Sequence, residues 1–135
     1  NLADTTAISN QSAAVDTGAA PSSQSAVVFD ASVLDAMTGG DPTQRRLLLD
    51  DYLATTASDL QAAHKARAAG DGVQLARGAH RIKGAALLVG AMELAKAAAA
   101  LESAARAADW QQASTLAANV DAALERLRLH LERIA

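Results

Sequence analysis

The chain has 135 residues, no cysteine, a formal net charge of −3 and only one Trp, one Tyr and one Phe. This length favours one domain with a single small core, and the lack of cysteine excludes disulfides, thiolate nucleophiles and cysteine-bound zinc. The negative charge offers no basic surface for nucleic acid or anionic lipid, so we expect a protein partner, no nucleic acid and no direct membrane contact.

Residues 1–28 are rich in Ser, Thr, Ala, Asp and Gln, and their few apolar residues are too sparse to form a buried stripe. We interpret this segment as a flexible linker and residues 29–135 as the one folded domain. Because the chain begins with Asn1 rather than Met, we also expect it to be a piece of a longer protein.

Two predicted helices open the folded domain. Asp30 is a suitable N-cap for a short helix that ends at Gly39-Gly40. Asp41-Pro42-Thr43-Gln44 then predicts the start of a long helix, because it combines an Asp cap, Pro at the first helical position and Gln three residues after the cap. Apolar residues recur at three- and four-residue steps until the turn signal Ala69-Gly70-Asp71-Gly72.

Three further helices follow the same apolar periodicity. The third is predicted from about Asp71 to Val89, with Gly90 as its terminating residue, and the fourth covers about residues 91–107. Asp109 is the predicted cap of the last helix, whose apolar seam continues to the end of the chain. Four long amphipathic helices with short connections predict an all-α fold, an antiparallel up-down four-helix bundle with a short additional N-terminal helix.

His80 lies on the outward face of the third predicted helix. At about 100° per residue the apolar stripe centres on the opposite side, while Lys83 and Arg77 lie roughly 60° to either side of His80. Gly84 and Leu87 share the same outward ridge. Because a glycine inside a helix costs about 1 kcal/mol relative to alanine, Gly84 indicates a requirement other than helix stability.

This arrangement suits the capture of a phosphoryl group. A neutral, exposed imidazole is a nucleophile near pH 7, and we expect Nε2, the more exposed ring nitrogen, to react. Lys83 and Arg77 would offset the charge of the phosphoryl group. Gly84 would let a partner approach the helix backbone, and Leu87 would add an apolar contact. Such a carrier needs no metal of its own if the partner supplies one.

The other candidate residues favour structural roles. His64 and His130 lack the Lys and Gly that follow His80, so we expect both to be ordinary surface or packing residues. Trp110, beside a predicted cap, is expected to anchor a helix end in the core, whereas Gly78 has no function that the sequence explains. No Glu has a His three residues later and no Gly-rich phosphate loop is present, so neither a di-iron bundle nor an ATP-using enzyme is supported.

Two short runs and a later hinge resemble a known family. Residues 79–85 read AHRIKGA, and residues 88–91 read LVGA. Both runs resemble the signature of histidine-containing phosphotransfer (Hpt) domains, and the pairs LE, AR and DW at residues 101–110 are similar to the hinge between that family's last two helices. The resemblance covers about residues 29–133 and leaves only the linker outside.

The resemblance implies that His80 takes a phosphoryl group from a receiver-domain aspartate and passes it to a response-regulator receiver in a multistep two-component phosphorelay. The resemblance also implies that Lys83 is the cation beside His80. The family has no ATP site, so we expect the isolated domain to be no enzyme and to bind neither cofactor nor metal, with Mg²⁺ on the partner receiver. The residues expected to dock the receiver are Gly84, Leu87, Arg81 and Ala76.

We expect the domain to be the C-terminal module of a bacterial hybrid sensor histidine kinase, cytoplasmic and monomeric in isolation, with the parent protein anchored in the inner membrane. Its partners would be the receiver domains of the same kinase and of a response regulator. Three alternatives stay open: a non-catalytic adaptor bundle that binds a partner helix through Leu87-Leu88, the phosphotransfer domain of a chemotaxis-type kinase, and a free-standing carrier.

Overall fold

The computed structural model describes residues 28–134, so the predicted linker lies outside the described residues except for Val28. Within this range all regular structure is helical, which confirms the predicted all-α class. Each of the five predicted helices is present. They are α1 (Ala31–Thr38), α2 (Pro42–Ala68), α3 (Gly72–Val89), α4 (Met92–Arg106) and α5 (Trp110–Ile134).

Aspartate caps explain where four of the five helices begin. The side chains of Asp30, Asp41, Asp71 and Asp109 each accept a hydrogen bond from a backbone N–H two or three residues later. Each cap satisfies an N–H group that the helix leaves without a partner, and its negative charge also complements the positive end of the helix dipole. Only α4 begins without such a side-chain bond, after Ala91.

The four long helices pack in sequence, with the most extensive contact between α3 and α4 and the lightest between α2 and α5. Polar contacts support this last pair: His64 Nε2 lies 2.9 Å from Asp121 Oδ1, and Arg67 Nη1 donates to Ser114 Oγ at 3.4 Å. Many buried positions are alanine, whose short side chain permits close helix packing. His64 therefore has a structural partner in the bundle.

The turn between α3 and α4 explains Gly90 and holds α1 in place. Gly90 has a left-handed backbone (φ 84°), and its carbonyl accepts a 2.7 Å hydrogen bond from the Asp30 N–H. A Cβ at position 90 would collide with the carbonyl oxygen of Asp30. Phe29, just before this contact, is buried with its ring centroid 6.2 Å from that of His130. His130 therefore packs on the segment that leads into α1.

Gly78 lies where α3 crosses α2. It is buried, and a Cβ built at this position would lie 3.4 Å from the Cβ of Ala63. That spacing leaves room for an alanine in ordinary contact, so close packing accounts for a small residue here without demanding glycine. Among residues 28–134, no helix combines the length and hydropathy needed to cross a membrane.

Candidate functional site

His80 stands on the exposed face of α3. The side chain is 61% exposed, whereas the residues on the opposite face of the helix form part of the core. The exposed position follows from the 3.6-residue period, because the buried residues recur at three- and four-residue steps around the other side. The buried residues of α3 are Leu75, Ala76, Gly78, Ala79, Ile82, Ala86 and Val89.

The imidazole of His80 is held by a carboxylate on the neighbouring helix. Its Nδ1 lies 3.0 Å from Oε2 of Glu102, whose side chain is only 8% exposed. An ionised carboxylate can only accept hydrogen bonds, so Nδ1 must carry the proton in this contact. In the neutral ring Nε2 then keeps its lone pair, which makes Nε2 the nucleophilic nitrogen.

Glu102 also binds two cations. Lys83 Nζ lies 2.9 Å from Oε1, and Arg106 Nη2 donates to Oε2 at 2.5 Å. These contacts lower the pKa of Glu102 from its ordinary value, and the hydrogen bond from Lys83 is the largest cause. Burial raises this pKa and so opposes the shift. The hydrogen bond from His80 and the charge of Arg106 lower it further. Glu102 is therefore a carboxylate near neutral pH.

The outward ridge of α3 is open around His80. A Cβ built on Gly84 would find no atom of another described element within 4 Å, so this stretch of backbone is accessible. Leu87 is 49% exposed and Leu88 66% exposed, which is high for leucine. Arg81 is half exposed, and its Nε lies 3.6 Å from Asp59 Oδ1 on α2.

The family model for the Hpt domain matches residues 47–132. The chain belongs to the Hpt family. A solved structure similar to it is the histidine-containing phosphotransfer protein B (HptB) from Pseudomonas aeruginosa PAO1, with a TM-score of 0.73 and 27% identity over 78% of this chain and 92% of HptB. A comparison with curated protein sequences gave no match.

Hpt domains carry a phosphoryl group on a histidine in phosphorelays, interact with receiver domains and have no ATP site of their own. The helical bundle and the similarity to HptB both fit this assignment. His80 lies within the matched residues, as do Glu102 and its other two partners, Lys83 and Arg106. The contacts described above therefore belong to the Hpt part of the chain.

One sequence prediction needs correction in this Hpt domain. Ala76 was expected on the docking surface, but it is 8% exposed and belongs to the core, because α4 covers this side of α3 and the alanine side chain is too short to reach past it. Lys83, predicted as the cation beside His80, lies on the same side of α3 and is bonded to the carboxylate of Glu102 that also contacts His80. Arg77 is exposed and has no ion-pair partner among residues 28–134.

Glu102 and Arg106 are the site residues that sequence reasoning missed. Both lie in the hinge pairs of the resemblance, and their i, i+4 spacing places them on one side of α4. A glutamate flanked by the buried residues Leu101 and Ala105 was a further signal, since a carboxylate at such a position needs partners. Trp110 was expected to anchor a helix end in the core; its ring lies close to Gly72 at the start of α3, but the side chain is exposed and is not part of the core.

Proposed function

We propose that His80 is the phosphorylated residue of this Hpt domain, taking the group from a receiver aspartate and delivering it to a second receiver. The observation that supports this most directly is an imidazole, 61% exposed, with Nδ1 bonded to a buried carboxylate. That contact fixes the ring orientation and leaves Nε2 as the nucleophile. The protein positions an existing nucleophile and needs no base to activate it.

In the forward step the lone pair of Nε2 attacks the phosphorus of the aspartyl phosphate. The bond between phosphorus and the aspartate oxygen breaks, an Nε2–P bond forms, and the aspartate leaves as a carboxylate. Nδ1 keeps its proton, so the phosphorylated ring carries a positive charge beside Glu102. A preorganised carboxylate stabilises this charge as it develops, and the same step in reverse delivers the group to another receiver.

The proposed docking surface is the outward ridge formed by Gly84, Leu87 and Arg81. The absent side chain at Gly84 lets a receiver loop approach the backbone one turn from His80, and Leu87 adds an exposed apolar contact two turns along. Arg77 lies one turn before His80 and supplies positive charge near the incoming group. Mg²⁺ would be bound by the receiver, where it neutralises charge on the transferring phosphoryl group.

For the wider context we propose that residues 29–135 form the C-terminal phosphotransfer module of a bacterial hybrid sensor kinase, with residues 1–28 as a linker. The partners would be the receiver of that kinase and the receiver of a response regulator, in the cytoplasm. The support for this arrangement is the resemblance in sequence together with the low-complexity composition of residues 1–28. The domain would act as a monomer, because the exposed ridge of α3 is needed for transient docking.

The test is transfer from a phosphorylated receiver, with His80→Gln as the variant and His64→Gln as the matched control, since His64 contacts Asp121 away from the ridge. We expect acid-labile, base-stable label on the wild type and on His64→Gln. We expect none on His80→Gln, because its amide lacks a nucleophilic ring nitrogen. Label that persists on His80→Gln would show that His80 is not the phosphorylated residue. A wild type that takes no label would favour an adaptor role.

A further inference from the structure

The structure assigns Arg106 on α4 as the cation that contacts the phosphoryl group once it is on His80, while Lys83 acts indirectly by holding Glu102. This inference rests on the proposed function. It changes the division of roles among the three cations near His80, because the sequence had pointed to Lys83 and Arg77 on α3.

Arg106 is placed beside the reacting ring by a shared oxygen. Its Nη2 and the Nδ1 of His80 both contact Oε2 of Glu102, at 2.5 and 3.0 Å. Lys83 contacts the other carboxylate oxygen, Oε1. The guanidinium is therefore the cationic group bound on the same side of Glu102 as the imidazole.

The side chains of Arg106 and Lys83 also differ in their exposure to solvent. The side chain of Arg106 is 66% exposed and that of Lys83 only 30%. A guanidinium has five N–H donors, and among residues 28–134 the only hydrogen bond from Arg106 is the one from Nη2 to Glu102. Arg106 can therefore keep this bond and offer further N–H groups to a phosphoryl oxygen, in the paired geometry for which arginine is suited.

Phosphorylation changes the charge balance in a way that favours this contact. In the unphosphorylated site Arg106 and Lys83, both cations, share the single carboxylate of Glu102. A phosphoryl group on Nε2 adds negative charge to the ring whose Nδ1 shares Oε2 of Glu102 with Arg106, and among residues 28–134 no second carboxylate binds this guanidinium. Arg106 would thus join the phosphoryl group to Glu102 and slow the loss of the group to water.

The experiment compares the phosphorylated wild type with Arg106→Gln, Arg106→Lys and the charge-matched control Arg128→Gln, which alters an α5 arginine paired with Glu125 and Glu132. Two quantities are measured: the lifetime of phosphohistidine after the receiver is removed, and the pH titration of the phosphoryl group by ³¹P NMR. We expect Arg106→Gln to shorten the lifetime about fivefold, which is the effect expected from the loss of one partly exposed ion pair. We also expect the substitution to raise the pKa of the phosphoryl group, because a nearby positive charge is removed.

We expect Arg106→Lys to retain most of the lifetime and Arg128→Gln to match the wild type. If Arg106→Gln also matches the wild type in lifetime and titration, the inference is wrong while the carrier function stands. If the wild type takes no label on His80, the proposed function itself is wrong. The second result is measured on the wild-type domain and the first on the Arg106 variant. Failure of the inference and failure of the proposed function are therefore distinguishable.

Discussion

At the residue scale, the site depends on a carboxylate that is buried under an exposed histidine. Glu102 accepts hydrogen bonds from His80, Lys83 and Arg106 while its own side chain is 8% exposed. A buried charge is costly unless it is paired, and here it has three positively charged or polar donors. Glu102 therefore contributes to the fold as well as to the orientation of His80.

The pH dependence of Glu102→Gln tests this dual role. The pKa of Glu102 is lowered from 4.5, first by the hydrogen bond from Lys83, so its contribution to stability is present above that value and is lost as pH falls through the lowered pKa. We expect Glu102→Gln to reduce the free energy of unfolding by about 1–2 kcal/mol at neutral pH. The difference should shrink toward zero in acid, as measured by urea unfolding at about pH 7 and at an acid pH where Glu102 is protonated.

The control for this measurement is Glu132→Gln, because Glu132 is exposed and, within residues 28–134, pairs only with Arg128 on the same helix. Its effect should be close to zero at both pH values. An equal loss of stability for Glu102→Gln at neutral and acid pH would show that the carboxylate charge is not the cause.

At the element scale, α3 carries two glycines in its interior, on different faces, and the structure separates their roles. Gly84 faces solvent with no atom within 4 Å of a built Cβ, whereas Gly78 faces Ala63 on α2. Alanine at position 84 should stabilise the helix by about 0.5–1 kcal/mol, because it removes the conformational freedom of glycine. The same methyl group should obstruct an approaching receiver.

We therefore expect Gly84→Ala to raise the melting temperature and to slow phosphotransfer from a receiver at least several-fold. Gly78→Ala is the matched control, the same substitution on the same helix, and it should leave the transfer rate unchanged. Thermal unfolding and rapid-quench transfer assays measure the two effects. A phosphotransfer rate of Gly84→Ala equal to that of the wild type would show that Gly84 is not part of the docking surface.

The elements themselves were predictable because their signals are local. Asp41, Asp71 and Asp109 each precede a helix, and the predicted boundaries agree with the structure to within about a residue. The outward position of His80 also followed from the helix period. What could not be predicted was the partner of its ring, because Glu102 lies 22 residues away in the chain, on another helix.

That contact depends on how α4 is rotated and placed against α3, which the packing of the whole core determines. The same packing explains why Ala76 was misplaced: a helical wheel gives its direction on α3 but does not show that α4 covers this side. Whether a position near the edge of an apolar stripe is exposed or buried depends on the helix that packs against that side. The sequence of one helix alone does not contain that information.

At the scale of the whole molecule, the residues of the proposed site lie on the two helices that pack most extensively. α3 supplies His80, Lys83 and the exposed ridge, and α4 supplies Glu102 and Arg106. α2 and α5 cover the other sides of this pair and contribute no contact to Glu102 among the described residues. In the proposed function, the antiparallel bundle is the rigid support that presents one imidazole and its counter-ion to a receiver.

We expect the phosphoryl group to reside on Nε2 of His80 while Nδ1 keeps its proton beside Glu102. The most direct measurement is ¹H–¹⁵N and ³¹P NMR of the ¹⁵N-labelled domain after phosphorylation by a receiver. The spectra should show a single phosphohistidine, at His80, with phosphorus coupled to Nε2 and a proton on Nδ1. Phosphorus bound to Nδ1, or to any residue other than His80, would contradict it.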